Sequence, residues 1–120
     1  MKIENIKFKA KRLDGKGWAI GDLLHSYENG AIIVPIEGGG AFSVNLDTIC
    51  QFTGLTDYDG KDLYEGDIIS FSDSYNQVVW EDDLCAFVLV DVESHSYYVH
   101  CDILKNCPFY IVGNKFDKKK

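Results

Sequence analysis

Apolar and polar residues alternate with a period of two in several short segments of the chain. The first alternation starts at Ile6, where apolar residues are interleaved with lysines, and another covers residues 41–46, with Phe42, Val44 and Leu46 expected to point inward. Further extended segments are predicted over residues 18–27 and 31–34. A period of two is typical of half-buried β-strands. No window keeps the helical period of about 3.6 residues for three turns. The pattern therefore predicts an all-β fold, a small barrel or roll.

Five further strands are predicted in the second half of the chain, over residues 68–71, 77–80, 84–92, 97–100 and 109–112. The longest of them has apolar residues at both odd and even positions, which is typical of a central strand that is covered on both faces. Asp102 is placed to cap one helical turn over residues 102–106. We expect at most this one short helical turn in the protein.

Glycine, asparagine and aspartate mark the turns between these segments. Asn29-Gly30 lies between two apolar runs and predicts a hairpin whose type I′ turn uses both residues at positive φ. Gly21-Asp22 is expected to interrupt its strand as a bulge. Residues 38–40 are three glycines, but they lack the Lys-Ser/Thr and the helix of a phosphate-binding loop. They therefore predict a flexible connection only.

Length and composition indicate one soluble domain. A chain of 120 residues with 46% hydrophobic content can bury a conventional core without a metal or disulfide. The first residues do not resemble a signal peptide, and no apolar run approaches the ~18 residues of a membrane span. We therefore expect no membrane association, a cytoplasmic location in a bacterial host, and four reduced cysteines.

The net charge of −7 is unevenly distributed. Residues 1–16 hold six Lys or Arg and two acids, and residues 115–120 hold four Lys and one acid. Residues 17–114 hold two lysines against sixteen acids. An acidic body with two basic ends disfavours direct duplex binding, since that affinity comes from neutralising phosphates. It is compatible with self-association or with an acidic interaction surface.

The densest run of turn residues covers positions 51–69, Gln-Phe-Thr-Gly-Leu-Thr-Asp-Tyr-Asp-Gly-Lys-Asp-Leu-Tyr-Glu-Gly-Asp-Ile-Ile. This run resembles the signature of the YopX family, small proteins encoded in phages and prophages. Phe8-Lys9-Ala10, the Trp18–Gly21 segment and the closing Ile111–Asn114 also fit the family pattern. The lysine-rich end of the chain departs from that pattern.

The resemblance implies an SH3-type β-barrel with N-terminal strands packed on it. It implies one YopX-like domain over residues 1–120, with N-terminal strands in 1–50, the barrel in 51–114 and a basic tail in 115–120. It implies no known activity, so no catalytic residue and no cofactor are carried over.

The signature residues are expected to shape turns and anchor strands. Asp59-Gly60 predicts a tight turn, and the Asp67 carboxylate is placed to accept backbone N–H groups of the next turn. The structural residues are Gly54, Asp57, Gly60, Tyr64, Glu65, Gly66 and Asp67. The alternative is a cation site built from five nearby acids, Asp57, Asp59, Asp62, Glu65 and Asp67, but their spacing does not match a calcium loop.

A second group of candidate ligands lies near the C-terminus. The weak metal candidates are His95, His100, Cys101 and Cys107. Their residue types suit zinc, but their spacing matches no known zinc pattern. Adjacent His100 and Cys101 would also point to opposite faces of a strand. We therefore expect no metal site and no catalytic residue here.

The leading hypothesis is a non-enzymatic phage or prophage accessory protein that binds another protein, itself included. Its expected interaction surface consists of Glu81, Asp82, Asp83, Asp59 and Asp62. One alternative is an acidic DNA mimic that blocks a host nucleic-acid-binding protein. A further alternative is a metal-dependent enzyme that uses His95, His100 and Cys101. Direct nucleic-acid binding through the basic ends is the least expected.

Overall fold

A computed structural model describes residues 1–95 and 97–117. Regular structure in these residues consists of eleven strands and five short 3-10 helices, so the all-β prediction is confirmed. The strands are β1 Phe8–Lys11, β2 Trp18–His25, β3 Ala31–Val34, β4 Phe42–Ser43, β5 Cys50–Thr56, β6 Asp62–Tyr64, β7 Asp67–Phe71, β8 Ser74–Glu81, β9 Ala86–Asp91, β10 Tyr97–His100 and β11 Tyr110–Asn114. The 3-10 helices are Ile3–Asn5, Tyr27–Asn29, Leu46–Thr48, Asp82–Leu84 and Cys101–Lys105.

The expected helical turn is the 3-10 helix Cys101–Lys105. Its N-cap is His100, which makes no capping side-chain hydrogen bond, and Asp102 lies inside the first turn. The other four 3-10 helices were not predicted. Each is three residues long, too short to produce a periodic pattern in the sequence.

The strands form two antiparallel sheets. One has the order β4-β3-β2-β1-β5-β6 and the other the order β10-β9-β8-β7-β11. The chain divides into two compact units, Met1–Phe52 and Thr53–Lys120, and the division falls within β5. Among the described strands neither sheet closes, because β10 and β11 remain at opposite edges of the second sheet. The predicted closed barrel is therefore not formed by these residues.

The core of the first unit is built from small side chains. Its fully or almost fully buried members are Ala10, Ala19, Ala31, Ile33 and Val44. Alternation places the β1 lysines on the opposite face, as the pattern predicted. Leu46, which was expected to point inward at the end of a strand, is 50% exposed. It is exposed because the chain leaves β4 after Ser43 and enters a 3-10 helix.

Gly21 does not interrupt β2, and the predicted bulge is wrong. The residue pairs with Phe8 of β1 in regular register. A Cβ atom at this position would overlap the carbonyl oxygen of Val34. Glycine is therefore needed because a neighbouring backbone approaches closely.

The β2–β3 hairpin is present, but its turn differs from the prediction. The residues at positive φ are Glu28 (62°) and Asn29 (65°), whereas Gly30 has an extended φ of −91°. A Cβ at Gly30 would lie 2.7 Å from the Ser26 hydroxyl oxygen. Glycine is therefore required at position 30 by this close contact, and not by a left-handed backbone conformation.

The second unit buries a larger apolar core. It contains Leu63, Ile69, Phe71, Val78, Leu89, Cys101, Leu104 and Phe109. Val88 and Leu89 point to opposite faces of β9 and both are fully buried, which confirms the two-sided character predicted for this strand. Ser72 and Asp73, at positive φ, form the short turn between β7 and β8. The predicted loop over residues 72–76 is therefore shorter than expected.

Gly113 and Asn114 belong to β11, where a turn was predicted, and pair with β7 after an irregularity at Val112. No helix in the described part of the chain is long and apolar enough to cross a membrane. All four cysteines are free.

Candidate functional site

The buried carboxylate of Asp57 joins the signature turn to β11. One oxygen, Oδ1, accepts the backbone N–H groups of Asp59 at 3.0 Å and Lys61 at 2.8 Å. The other, Oδ2, accepts the N–H of Ile111 at 3.0 Å. Burial, the largest single effect, raises the pKa of Asp57, but these three hydrogen bonds and the Lys61 charge together hold that pKa below its usual value.

The carboxylate of Asp67 makes a second internal junction. It is 1% exposed. Its Oδ2 accepts the backbone N–H of Tyr64 at 2.8 Å, and its Oδ1 accepts Nδ2 of Asn114 at 2.9 Å. Asn114 in turn accepts the N–H of Phe116 through Oδ1. The contact ties the turn before β7 to the end of β11.

The remaining signature residues shape the backbone around these junctions. Gly54, Gly60 and Gly66 have φ values of 90°, 83° and 85°, a region that favours glycine. Tyr64 is 3% exposed, and burial together with nearby carboxylates raises its pKa. Glu65 is half-buried. The three glycines therefore supply turn conformations, and Tyr64 supplies a buried side chain.

The five signature acids do not gather around one point. Two of them, Asp57 and Asp67, direct their oxygens at N–H donors. Within residues 1–95 and 97–117, no three or more His, Cys, Asp and Glu side chains are grouped so that they could hold a metal ion. The histidine and cysteine candidates form no such group either.

His100 and Cys101 line a cavity of about 230 Å³. The other lining residues are Thr53, Leu55, Ala86, Phe87, Asp102 and Lys105. Burial, followed by the charge of Asp102, raises the pKa of the Cys101 thiol to about 12. The thiol is therefore protonated at neutral pH and is a poor nucleophile. His95 is exposed in the turn after β9, and neither it nor Cys107 lines this cavity.

Three of the predicted surface acids lie on what we call the acidic tip, residues 80–84. Trp80 and Leu84 of the tip are 40% and 45% exposed, beside the exposed Asp82 and Asp83. Nε1 of Trp80 donates a hydrogen bond of 2.7 Å to Asp82. Oε1 of Glu81 accepts the N–H of Asp83 at 3.4 Å. The tip thus presents exposed carboxylates beside exposed apolar side chains.

The other two predicted surface acids occupy a different place in the second unit. Asp59 is exposed in the turn before β6, and Asp62 is half-buried at the start of that strand. The five predicted surface acids are therefore supplied by two separate connections of the chain.

The first unit carries a positively charged face. Nζ of Lys7 lies 4.5 Å from the centre of the Phe52 ring, and Nζ of Lys9 and Lys11 lie 4.7 and 5.2 Å from that of Trp18. These distances are those of cation–π contacts. Beside this face is a depression of about 380 Å³, which we call the Ile36 groove. It is lined by Lys7, Ile20, Pro35, Ile36 and Glu37.

Sequence reasoning identified the lysines but missed the groove, because residues 35–37 reach Lys7 only through sheet pairing. No signal in the sequence could have found it, because the 48% exposure of Ile20 is a property of the folded chain.

The fold and these surfaces define a small all-β protein in which a glycine- and aspartate-rich signature forms a structural connector. The chain belongs to the YopX family, whose sequence model, described as YopX protein, matches residues 7–119. No curated protein matches the chain.

Proposed function

We propose that this YopX-family protein is a non-enzymatic accessory protein that acts by binding another protein, a second copy of itself included. The observation that supports this most is the acidic tip. Exposed Trp80 and Leu84 stand beside exposed carboxylates there, and aromatic groups with a polar surround are typical of protein interfaces.

The alternatives have less support. A metal-dependent enzyme that uses His95, His100 and Cys101 would need such side chains grouped around an ion, and no group of this kind occurs among the described residues. A DNA mimic would need its carboxylates on one surface at phosphate-like spacing, and the five predicted surface acids come from two segments of the chain, residues 59–62 and 81–83.

The setting is part of the proposal. We infer a phage or prophage origin and a place in the bacterial cytoplasm, supported by the family and by four free thiols, which suit a reducing compartment. An SH3-type arrangement of the second sheet is supported by its strand order, in which the last strand lies beside β7.

Affinity capture from a bacterial lysate tests the proposal. The bait is the tagged full chain, and the matched control bait carries Trp80→Ala and Leu84→Ala. We expect mass spectrometry to find at least one protein that the wild type retains and the control loses. Equal recovery of every protein by both baits would contradict a partner bound through the tip.

Self-association is tested separately with purified protein. Sedimentation at low and high salt that gives a monomer in both would remove the self-associating form of the proposal and leave the form with a host partner.

A further inference from the structure

We propose that the cavity lined by His100 and Cys101 binds a free amino acid with an apolar side chain. All of its lining residues lie in the second unit, Thr53–Lys120, and none of them belongs to the acidic tip. The inference goes beyond the proposed function, because it assigns a small-molecule ligand to a different part of the surface.

The floor of the cavity is apolar and is held in place by the core. Leu55 and Phe87 are half-buried and pack against the core of the second unit. The Phe87 ring also meets the Trp80 ring edge-on, with 5.0 Å between the ring centres. Cys101 is the most buried lining residue and is 5% exposed. Because these side chains are packed from behind, the apolar floor is formed before a ligand arrives.

Exposed polar groups form the rim of the cavity. His100, Asp102 and Lys105 are exposed and line the same space. Asp102 and Lys105 are three residues apart on the 3-10 helix Cys101–Lys105, so they project from one side of it. Neither side chain has a hydrogen bond or an ion pair with another residue in the described part of the chain. A carboxylate and an ammonium group are therefore both available to a ligand.

The charges around the cavity favour a zwitterion over a simple ion. Residues 17–114 contain sixteen acids and only one Lys or Arg besides Lys105. These acids disfavour a simple anion, since its charge is repelled everywhere except at Lys105. A simple cation would meet Asp102 but would leave Lys105 without a partner. An amino acid carries no net charge, and it offers a carboxylate to Lys105 and an ammonium group to Asp102.

The volume of the cavity limits the size of the ligand. It is about 230 Å³, below the roughly 300–1,000 Å³ that is typical of sites for drug-sized molecules. An amino acid is smaller than such molecules, and its side chain would cover the apolar floor while its two charged groups remain at the rim. An aromatic side chain would also meet the Phe87 ring, and aromatic pairs are stabilised beyond the area that they bury.

An NMR titration of the full-length chain tests the site. The probes are L-phenylalanine, its analogue without the carboxylate, phenethylamine, its analogue without the amine, hydrocinnamate, and glycine, which lacks the apolar part. We expect L-phenylalanine to bind with millimolar affinity and to shift the amide signals of Thr53, Ala86 and Cys101. Each analogue should bind about three- to fivefold more weakly, since exposed ion pairs are weak. Glycine should cause no shift at the same concentration.

Charge reversals at the rim should change the ranking of the two analogues. Lys105→Glu should bind phenethylamine more tightly than hydrocinnamate, and Asp102→Lys should do the reverse. A general loss of structure cannot move the ranking in opposite directions. The matched controls are Lys115→Glu and Asp59→Lys, which change exposed residues that do not line the cavity. Both controls should keep the affinity and the ranking of the wild type.

A third variant tests the apolar floor without changing any charge. Ala86→Leu places a larger side chain in the cavity, and it should weaken the binding of L-phenylalanine at least about tenfold. This result is informative even if a charge-reversal variant does not fold. Circular dichroism establishes which variants are folded.

The opposing outcomes are distinct. Amide signals that L-phenylalanine leaves unchanged up to about 20 mM would overturn the proposal, and so would equal affinity for all four compounds. Tighter binding of either analogue than of L-phenylalanine would identify a ligand with a single charge and overturn the assignment to an amino acid. Lysate capture through the acidic tip is unaffected by these results, so the two proposals fail independently.

Discussion

Exchanging Asp67 and Asn114 should largely preserve the second unit, although either substitution alone should damage it. In Asp67→Asn, the new amide oxygen still accepts the Tyr64 N–H, but the new Nδ2 faces Nδ2 of Asn114. Two hydrogen-bond donors then face each other in a buried place, because residues 67 and 114 are only 1% and 6% exposed. Losing a charge-assisted bond costs about 1.5–3 kcal/mol, and a buried unpaired donor adds about 1–3 kcal/mol. We expect a loss of about 3–5 kcal/mol.

Asn114→Asp instead places two carboxylates together, and its cost should be similar at pH 7. That cost should fall in acid, because one carboxylate of the pair then takes up a proton. In the double variant, the amide at position 67 accepts from Tyr64 and donates to the carboxylate at position 114, whose second oxygen accepts from Phe116. The described hydrogen bonds are thus all reproduced, and the double variant should lose only about 1 kcal/mol. The coupling free energy should therefore be at least about 3 kcal/mol.

Urea unfolding of the four proteins measures this cycle. A Trp18→Phe background leaves Trp80 as the fluorophore, so the signal reports the second unit. Asp67 and Asn114 both lie in that unit, so the fluorescence follows the unfolding that they affect. If the losses of unfolding free energy in the two single variants simply add in the double variant, the assigned hydrogen bonds are refuted.

Four further predictions follow from single positions. Gly21→Ala should lower the free energy of unfolding by about 3 kcal/mol or more, measured by thermal unfolding, because the new Cβ meets the Val34 oxygen. Gly15→Ala, which has open space around it, should lower it by about 1 kcal/mol. Equal losses in the two variants would contradict the contact. Asp57→Asn should cost about 2 kcal/mol at pH 7. The pKa of Asp57 is lower in the folded than in the unfolded protein, so the ionised carboxylate stabilises the fold above the unfolded pKa, and this stabilisation is lost as pH falls through the folded pKa. The difference in unfolding free energy between Asp57→Asn and the wild type should therefore shrink near pH 3. A difference that stays constant with pH would refute this. Glu28→Gly should stabilise by about 0.5–1 kcal/mol, since Glu28 has φ 62°, and Glu28→Ala should give no such gain. A thiol reagent followed by mass spectrometry should label exposed Cys85 first and Cys101 only on unfolding; early labelling of Cys101 would contradict its burial.

Much of the local structure was predictable from the sequence. Alternation located β1, and the apolar run after Asn29-Gly30 located β3. Apolar residues at both odd and even positions identified the two-sided strand β9. Glycine and aspartate marked the signature turn around Asp57, and the signature itself indicated the family. These predictions succeed because side-chain direction in a strand and backbone preference in a turn depend on neighbouring residues only.

Other features were decided by the tertiary structure. Asp57 bonds to Ile111 across 54 positions, and Asp67 bonds to Asn114 across 47. Gly21 is required by a carbonyl on another strand, and the Ile36 groove depends on sheet register. Sheet order and register bring these groups together, and no local spacing encodes them. The sequence alone therefore determined the family and most of the strands. Only the folded chain decided that two further strands, β5 and β6, form in the turn-rich run, which partners Asp57 and Asp67 take, and which side chains are exposed.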